Sequence, residues 1–432
     1  MAFATGPFQS PDEENHFLRA YQISQGQLTP MLAKYSNGWI DAGGIVPASL
    51  RDTSRPFQRM EFHPNEKVHW DEWLQAIRHS FTPKPEEFAG FQNTAIYPPV
   101  SYVPQILAIW LTKPLAVSPL VMMYAGRVLN LVIWGLMVFV AIRLIPVQKW
   151  VIVLVSLMPM SIFLAASLSS DPLITSMSLL FFALVIKARL GPHRITLIQK
   201  LAMALLAVGL GLAKIGYAPL AALVVLVPAA KLGGTNRKLL FCFIVIGCGA
   251  LASLGWLYLI QGLTVTREWT NPPFQISFIE HSPAAYLLVL ARTVTVRGPG
   301  ILEELVGILG WLDTPLSGWI YWSYPVVAIL AALSGDLTGN TVQIWERIMM
   351  IIIVILCAVV VATSVFIMWT QPGTPFVAGT QGRYFLPLIV PALVALQRPR
   401  LILPAAWRAR FISSYCAIVL LSTCVTVVER YY

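Results

Sequence analysis

Asp12, His16 and Arg19 recur at i, i+4 and i+7 in the segment SPDEENHFLRAYQISQG, a spacing that puts a carboxylate, an imidazole and a guanidinium on one helical stripe. Such a stripe can orient a base beside a phosphate, with Phe17, Leu18 and Tyr21 as the apolar side. The same residues also spell a helix start: Ser10 as N-cap, Pro11 at the first helical position, Glu13 three residues after the serine as in a capping box, and Gly26 as the stop. Acids in a first turn complement the helix dipole without catalytic duty, so Asp12 and Glu13 carry both readings.

Asp171, in SLSSDP, reads either as an N-cap ahead of Pro172 or as a metal or site carboxylate. Lys214 separates two apolar runs, where it can snorkel to headgroups or hold phosphate as a point charge. For Arg383, in TQGRYFLP, phosphate is the favoured reading: an arginine fork suits a pair of phosphate oxygens, and Tyr384 and Gln381 add neutral partners. Arg127, in YAGRVLN, lies inside an apolar run; it is a functional candidate by position, with pairing to an acid on a neighbouring helix as the structural alternative. His63, His69, Asp71 and Glu72 match no zinc spacing and read as a solvated loop. The five cysteines all fall in apolar runs without metal or disulfide spacing, as small buried side chains.

Composition dictates what positions these groups. Of 432 residues 57% are apolar and 12% charged, with mean hydropathy +0.69, about half the charge of a soluble domain. That excludes a water-soluble globular enzyme. Spans of about 20 apolar residues are expected at 119–143, 150–168, 172–187, 196–213, 215–230, 239–261, 318–334, 347–369, 383–397 and 410–428. The expected fold class is all-α, a polytopic transmembrane helical bundle of about ten spans whose outer loops contain short amphipathic helices. Its parts are a first extramembrane loop at 1–100, an N-terminal bundle at 101–261, a second loop at 262–317 and a C-terminal bundle at 318–432. Residues 283–312, apolar with a few charges, are expected to lie on the membrane surface or re-enter it. Trp311, Trp319, Tyr321 and Trp322 read as interfacial anchors.

The net charge of +10 does not point to nucleic acid, because residues 1–100 hold eight Lys and Arg against eleven Asp and Glu, leaving the basic excess in the membrane part. Alternate short loops collect it: Arg143 and Lys149; Lys187, Arg189, Arg194 and Lys200; Lys231, Arg237 and Lys238; Arg398, Arg400, Arg408 and Arg410. Those loops are then cytoplasmic. Residues 1–100, Asp171 and 262–317 fall together on the outer face, with five of the six histidines. A translocated first region needs a preceding signal or span, which MAFATGPFQS does not supply, so a late assigned start or a less usual route is expected. The sequence contains no Walker loop, GxGxxG, HExxH or GxSxG. Acids gather in outer loops rather than within spans, which favours an enzyme over a coupled transporter.

With PDEENHFLRAYQISQG, YPPVSYVPQ, YAGRVLN, MPMSIFLAASLSSDP, GLAKIGYAPL, GWLDT and QGRYFLP in this order, the chain resembles the bacterial integral-membrane family called domain of unknown function 2142. That family in turn looks like the GT-C glycosyltransferases, polytopic enzymes of the bacterial cytoplasmic membrane that move a sugar from a polyprenyl-phosphate carrier to a glycan or lipid acceptor on the extracytoplasmic face. The resemblance implies an acidic pair in the first outer loop, matched by Asp12 and Glu13, and a second acid matched by Asp171. It also implies basic groups for the donor phosphate, for which Lys214 and Arg383 are the nearest matches. Members of that superfamily begin with a span that MAFATGPFQS lacks. On this reading Asp12 is the general base, and a divalent cation, magnesium or manganese, sits on Glu13 or Asp171. The competing reading is a non-enzymatic transporter or assembly partner for lipid-linked envelope polysaccharide.

Overall fold

The structure, a computed structural model, describes residues 1–334, 342–397 and 404–432. Arg398 and Arg400, which enter the loop-charge argument, lie outside the described residues. The first hundred residues mix helix and sheet. Helix α1, Glu13–Ser24, starts later than the serine cap predicts: Asp12 is its N-cap, in a left-handed conformation at φ 57°. Glu13 still reaches back to the Ser10 N–H at 3.3 Å, half of the expected capping box, and Gly26 closes the helix at φ +86°.

The all-α expectation fails in this region. Strands β1 (Met31–Lys34), β2 (Ile40–Pro47) and β3 (Glu86–Gly90) form an antiparallel sheet in the order β1-β2-β3. The pairing of Lys34 with Ile40 encloses Asn37 and Gly38, a dipeptide suited to hairpin turns, with Gly38 at φ +84°. Helix α1 lies against β2, where the Gln22 amide donates to the Gly43 carbonyl at 3.2 Å.

Among the described residues six helices are long and apolar enough to cross a bilayer: α2 (Pro119–Leu144), α3 (Asp171–Leu190), α5 (Thr235–Leu259), α6 (Pro283–Gly307), α7 (Ile344–Trp369) and α8 (Ala405–Tyr431), with the shorter α4 (Leu197–Ala213) between α3 and α5. Five of these occupy expected spans. The sixth, α6, falls where a surface or re-entrant segment was expected, and it runs unbroken through Pro299. The expected span at 150–168 is instead two helices, Lys149–Ser156 and Pro159–Ala165, because proline cannot continue the preceding helix. The expected span at 215–230 is a 3-10 helix, Ile215–Leu226, with Pro219 inside it, and the stretches at Gly318–Leu333 and Gly382–Ala395 are likewise short.

Close backbone approach fixes the bundle around the site. Helices α4 and α5 meet at Gly211 and Gly249, where a Cβ on Gly211 would overlap the Gly249 carbonyl. Small residues at a crossing let helices pack without hydrophobic drive from water. This contact delivers the C-terminal end of α4, with Lys214 beyond it, to the same edge as the end of α5. At the polar end of the bundle α8 docks onto the first region: Arg430 donates to the carbonyls of Met60, His63 and Glu66 at 2.9–3.2 Å and pairs with Asp313 at 2.8 Å.

Candidate functional site

A cavity of about 710 Å³ opens where the first region meets the bundle. Its walls come from segments distant in sequence: the start of α1, the Gln58–Phe62 turn, Gln92–Pro98, the end of α4 with the 3-10 turn after it, Trp311 with Leu312, and the facing parts of α5, α7 and Gln381–Tyr384.

Asp12 stands on the polar wall. Its Oδ1 accepts from the Asn93 amide at 2.7 Å, and its Oδ2 lies 3.9 Å from Arg383 Nη2. Arg383 also lies 3.8 Å from Asp171, which binds Lys214 Nζ at 2.6 Å. Asp12, Asp171, Lys214 and Arg383 therefore form one chain of alternating charge. Lys214 is flanked by the rings of Tyr97 and Tyr384, each 5.2 Å from Nζ, a cation held against aromatic faces. Tyr384 is fixed in turn by the Tyr217 hydroxyl, which donates to its carbonyl at 2.9 Å. The Nε of Arg383 is buried and faces the Asp171 carboxylate at 3.8 Å, beyond hydrogen-bond distance, although buried polar groups ordinarily are hydrogen-bonded. Gln381 lines the cavity beside it.

Gly382 explains why this arginine stands where it does. A Cβ there would overlap the backbone of Leu305 and Ile301 in α6, so only glycine lets the turn press against that helix. The Glu304 carboxylate accepts the Gly382 N–H at 2.9 Å and the Arg297 guanidinium at 2.8 Å.

The other residues singled out from the sequence are placed differently. Glu13 and Arg127 form a bidentate pair at 2.5 and 2.8 Å, both completely enclosed. Arg127 further donates to the carbonyls of Ala2, Thr5 and Gly6 at 2.8 Å, and Glu13 accepts the Leu168 N–H at 3.1 Å. Neither residue lines the cavity. The structural alternative for Arg127 is the observed one, and Glu13 has no oxygen left for substrate or metal. Asp171 is the first residue of α3 and not its cap; its carboxylate goes to Lys214. His16 bonds the Tyr102 hydroxyl through Nδ1 at 2.8 Å, and burial, opposed in part by Asp12 and Asp171, lowers its pKa to about 4. Arg19 is held by the carbonyls of Tyr97 and Leu28 and by Gln22. His63 and His69 are exposed, and Glu72 pairs with Arg59.

The acids expected to hold a divalent cation do not fit one. Glu13 is enclosed by its arginine, Asp171 faces two cations, and among the described residues no three metal-binding side chains converge.

Several lining residues carried no motif in the sequence. Asn93 bridges Asp12 to Arg267, whose guanidinium lies 4.8 Å from the Trp369 ring. Glu61 faces the cavity near Asp12 and Glu14, and burial, reinforced by those two carboxylates, raises its pKa to about 7. Part of the wall is apolar: Leu212, Ile215, Leu257, Ile260, Val361 and Met368. Ile215, Leu257 and Met368 are each more than a third exposed, so this wall offers apolar surface to a ligand.

No curated protein and no solved structure matches the chain. A family model described as a predicted membrane protein, DUF2142, matches residues 1–392. With its apolar helices carrying a polar region at one end, this multi-pass membrane chain belongs to that family.

Proposed function

We propose that the chain is a membrane glycosyltransferase of GT-C type, which transfers a sugar from a polyprenyl-phosphate donor to an envelope glycan or lipid acceptor on the extracytoplasmic face of the bacterial cytoplasmic membrane. The observation that carries this reading is the division of one cavity into three zones. A carboxylate wall holds Asp12, a centre holds Lys214 and Arg383, and an apolar wall carries Leu212, Ile215, Leu257 and Met368. A ligand that is a sugar, a phosphate and a hydrocarbon chain in series has the same three zones. Ligand sites of this kind are apolar clefts with a few placed polar groups.

In the proposed reaction the acceptor hydroxyl gives its proton to Asp12 Oδ2, which has Arg383 at 3.9 Å and, among the described residues, no hydrogen bond, while Oδ1 is held by Asn93. The hydroxyl oxygen attacks the anomeric carbon from the face opposite the phosphate, with inversion. The bond from that carbon to the phosphate oxygen breaks, and its electron pair stays on the departing polyprenyl phosphate. Arg383 and Lys214 offset the charge that develops there. Asp171 lies 2.6 Å from Lys214 and 3.8 Å from Arg383, so its tighter pairing is with the lysine.

The test offers labelled polyprenyl-phosphate sugar to the purified chain and looks for free polyprenyl phosphate. Release that is lost in Asp12→Asn at unchanged folding supports the transferase. A carrier bond that stays whole while the lipid-linked sugar changes leaflet supports the transporter instead, and wild-type release by Asp12→Asn overturns the base assignment.

A further inference from the structure

Among the described residues six non-glycine positions adopt left-handed backbone conformations, and three of them, Asp12, Phe62 and Leu312, line the cavity. For a bulky residue such as Phe62, at φ 58°, this conformation is an outlier that the surroundings must impose. Such residues collect at functional sites because packing is made to hold them. Phe62 nevertheless has little packing of its own, at 66% exposed. Its ring faces Trp311, with centroids 5.0 Å apart and planes at 53°. The indole Nε1 of Trp311 is buried and has no acceptor.

The device that holds the two rings is Arg430. It takes the carbonyls of Met60 and His63, on either side of Glu61 and Phe62, and it pairs with Asp313. Asp313 in turn accepts the Trp311 backbone N–H at 3.1 Å and the Thr314 hydroxyl at 2.9 Å. One guanidinium thus clamps the two turns that present the rings. Beside them stand Glu61 and the amide of Gln58, which donates to Glu14 at 2.6 Å. An exposed aromatic face, an indole donor without a partner, and carboxylates and amides at its edge suit a pyranose. Its C–H face lies on a ring while its hydroxyls both donate and accept.

We propose that Phe62 and Trp311, with Glu61 at their edge, form the subsite that receives a pyranose ring of the acceptor glycan. This rests on the transferase reading and adds the acceptor class to it. The rings line the same cavity as Asp12, so a hydroxyl of the bound ring is offered to Asp12 within one chamber. Because burial, reinforced by Glu14 and Asp12, raises the Glu61 pKa to about 7, both of its oxygens accept sugar hydroxyls above that pH, whereas below it one becomes a donor.

The test uses the purified full chain in detergent, with lipid-free methyl pyranosides of hexose, hexosamine and deoxyhexose type, read by saturation-transfer NMR. Farnesyl phosphate binding is measured in parallel as the probe of the cationic centre. Phe62→Gly removes both the ring and the backbone strain: saturation transfer to the sugar falls about tenfold, the scale of one aromatic contact. The thermal midpoint stays level or rises, and farnesyl phosphate binds as in the wild type. Phe62→Leu, which keeps bulk without a ring, shows the same loss of sugar contact. Glu61→Gln weakens the sugar contact above pH 7 and leaves it unchanged below pH 6. The subsite is overturned if the wild type contacts no pyranoside, or if both Phe62 variants bind as the wild type does. Sugar contact without farnesyl phosphate binding would instead overturn the transferase reading while leaving the subsite standing.

Discussion

Replacing Glu13 by Gln separates a structural acid from the proposed base. Adjacent residues Asp12 and Glu13 look interchangeable as candidate bases, yet only Asp12 reaches the cavity. In the wild type the Arg127 guanidinium has five donor contacts, two to Glu13 and three to the carbonyls of Ala2, Thr5 and Gly6, and neither side chain is exposed. A glutamine keeps the shape but removes the charge and turns one acceptor into a donor facing the guanidinium. Breaking a buried pair from one side leaves the other charge uncompensated, which costs about 3–5 kcal/mol. That is a large share of the roughly 5–15 kcal/mol by which proteins are stable.

Thermal and denaturant unfolding in detergent read the loss. Proteolysis reads where it begins, because the first six residues are held through Arg127 carbonyl contacts and should be cut first. The double variant Glu13→Gln/Arg127→Met, with no charge left to bury, should recover part of the loss. Per folded molecule, Glu13→Gln should keep sugar transfer that Asp12→Asn loses. The reasoning is refuted if Glu13→Gln unfolds within about 1 kcal/mol of the wild type, less than one ordinary buried contact. It is refuted equally if the variant is fully folded and inactive.

Arg383→Gln should lower transfer by about 10²–10³, as for loss of one donor aimed at developing charge, measured as polyprenyl phosphate release under saturating acceptor. Gly382→Ala should displace the turn from α6, because the added carbon meets the backbone at Leu305 and Ile301; farnesyl phosphate affinity should fall together with the thermal midpoint. His16 has its folded pKa lowered from 6.5 to about 4 by burial. The folded state therefore binds fewer protons, and the contribution is complete above about pH 6.5 and is lost as pH falls toward 4. Denaturant midpoints measured between pH 7 and 4 should fall in the wild type and fall less in His16→Gln.

The helices of the bundle were legible because hydrophobic runs need no partner to declare themselves, and the resemblance to the family was legible from ordered motifs. Asp12, Lys214, Arg383, Tyr384 and Gln381 could be named from charge at the edges of those runs, and they line one cavity. Which acid would meet Arg127 could not be read, since its partner Glu13 lies 114 residues away and competes with Asp12 next door. Span lengths were overstated where Pro159 and Pro219 break an apolar run without changing its hydropathy. The sheet was missed although Asn37-Gly38 announces a hairpin, because β1 is short and largely exposed and lacks a clear alternation. Phe62 and Trp311 were invisible as a pair: the one lay in a segment read as a solvated loop, the other was read as an anchor. What joins them is a backbone conformation and a clamp from the last helix.

That clamp has a consequence for biogenesis. Arg430 comes 370 residues after Met60, so the ribosome must add all of those residues before the rim of the cavity can close. Until α8 inserts, the first hundred residues wait beside the membrane with one wall loose. A chain cut short before α8 would thus present its aromatic turns unclamped, and quality control that senses such turns could tell it from one that carries Arg430.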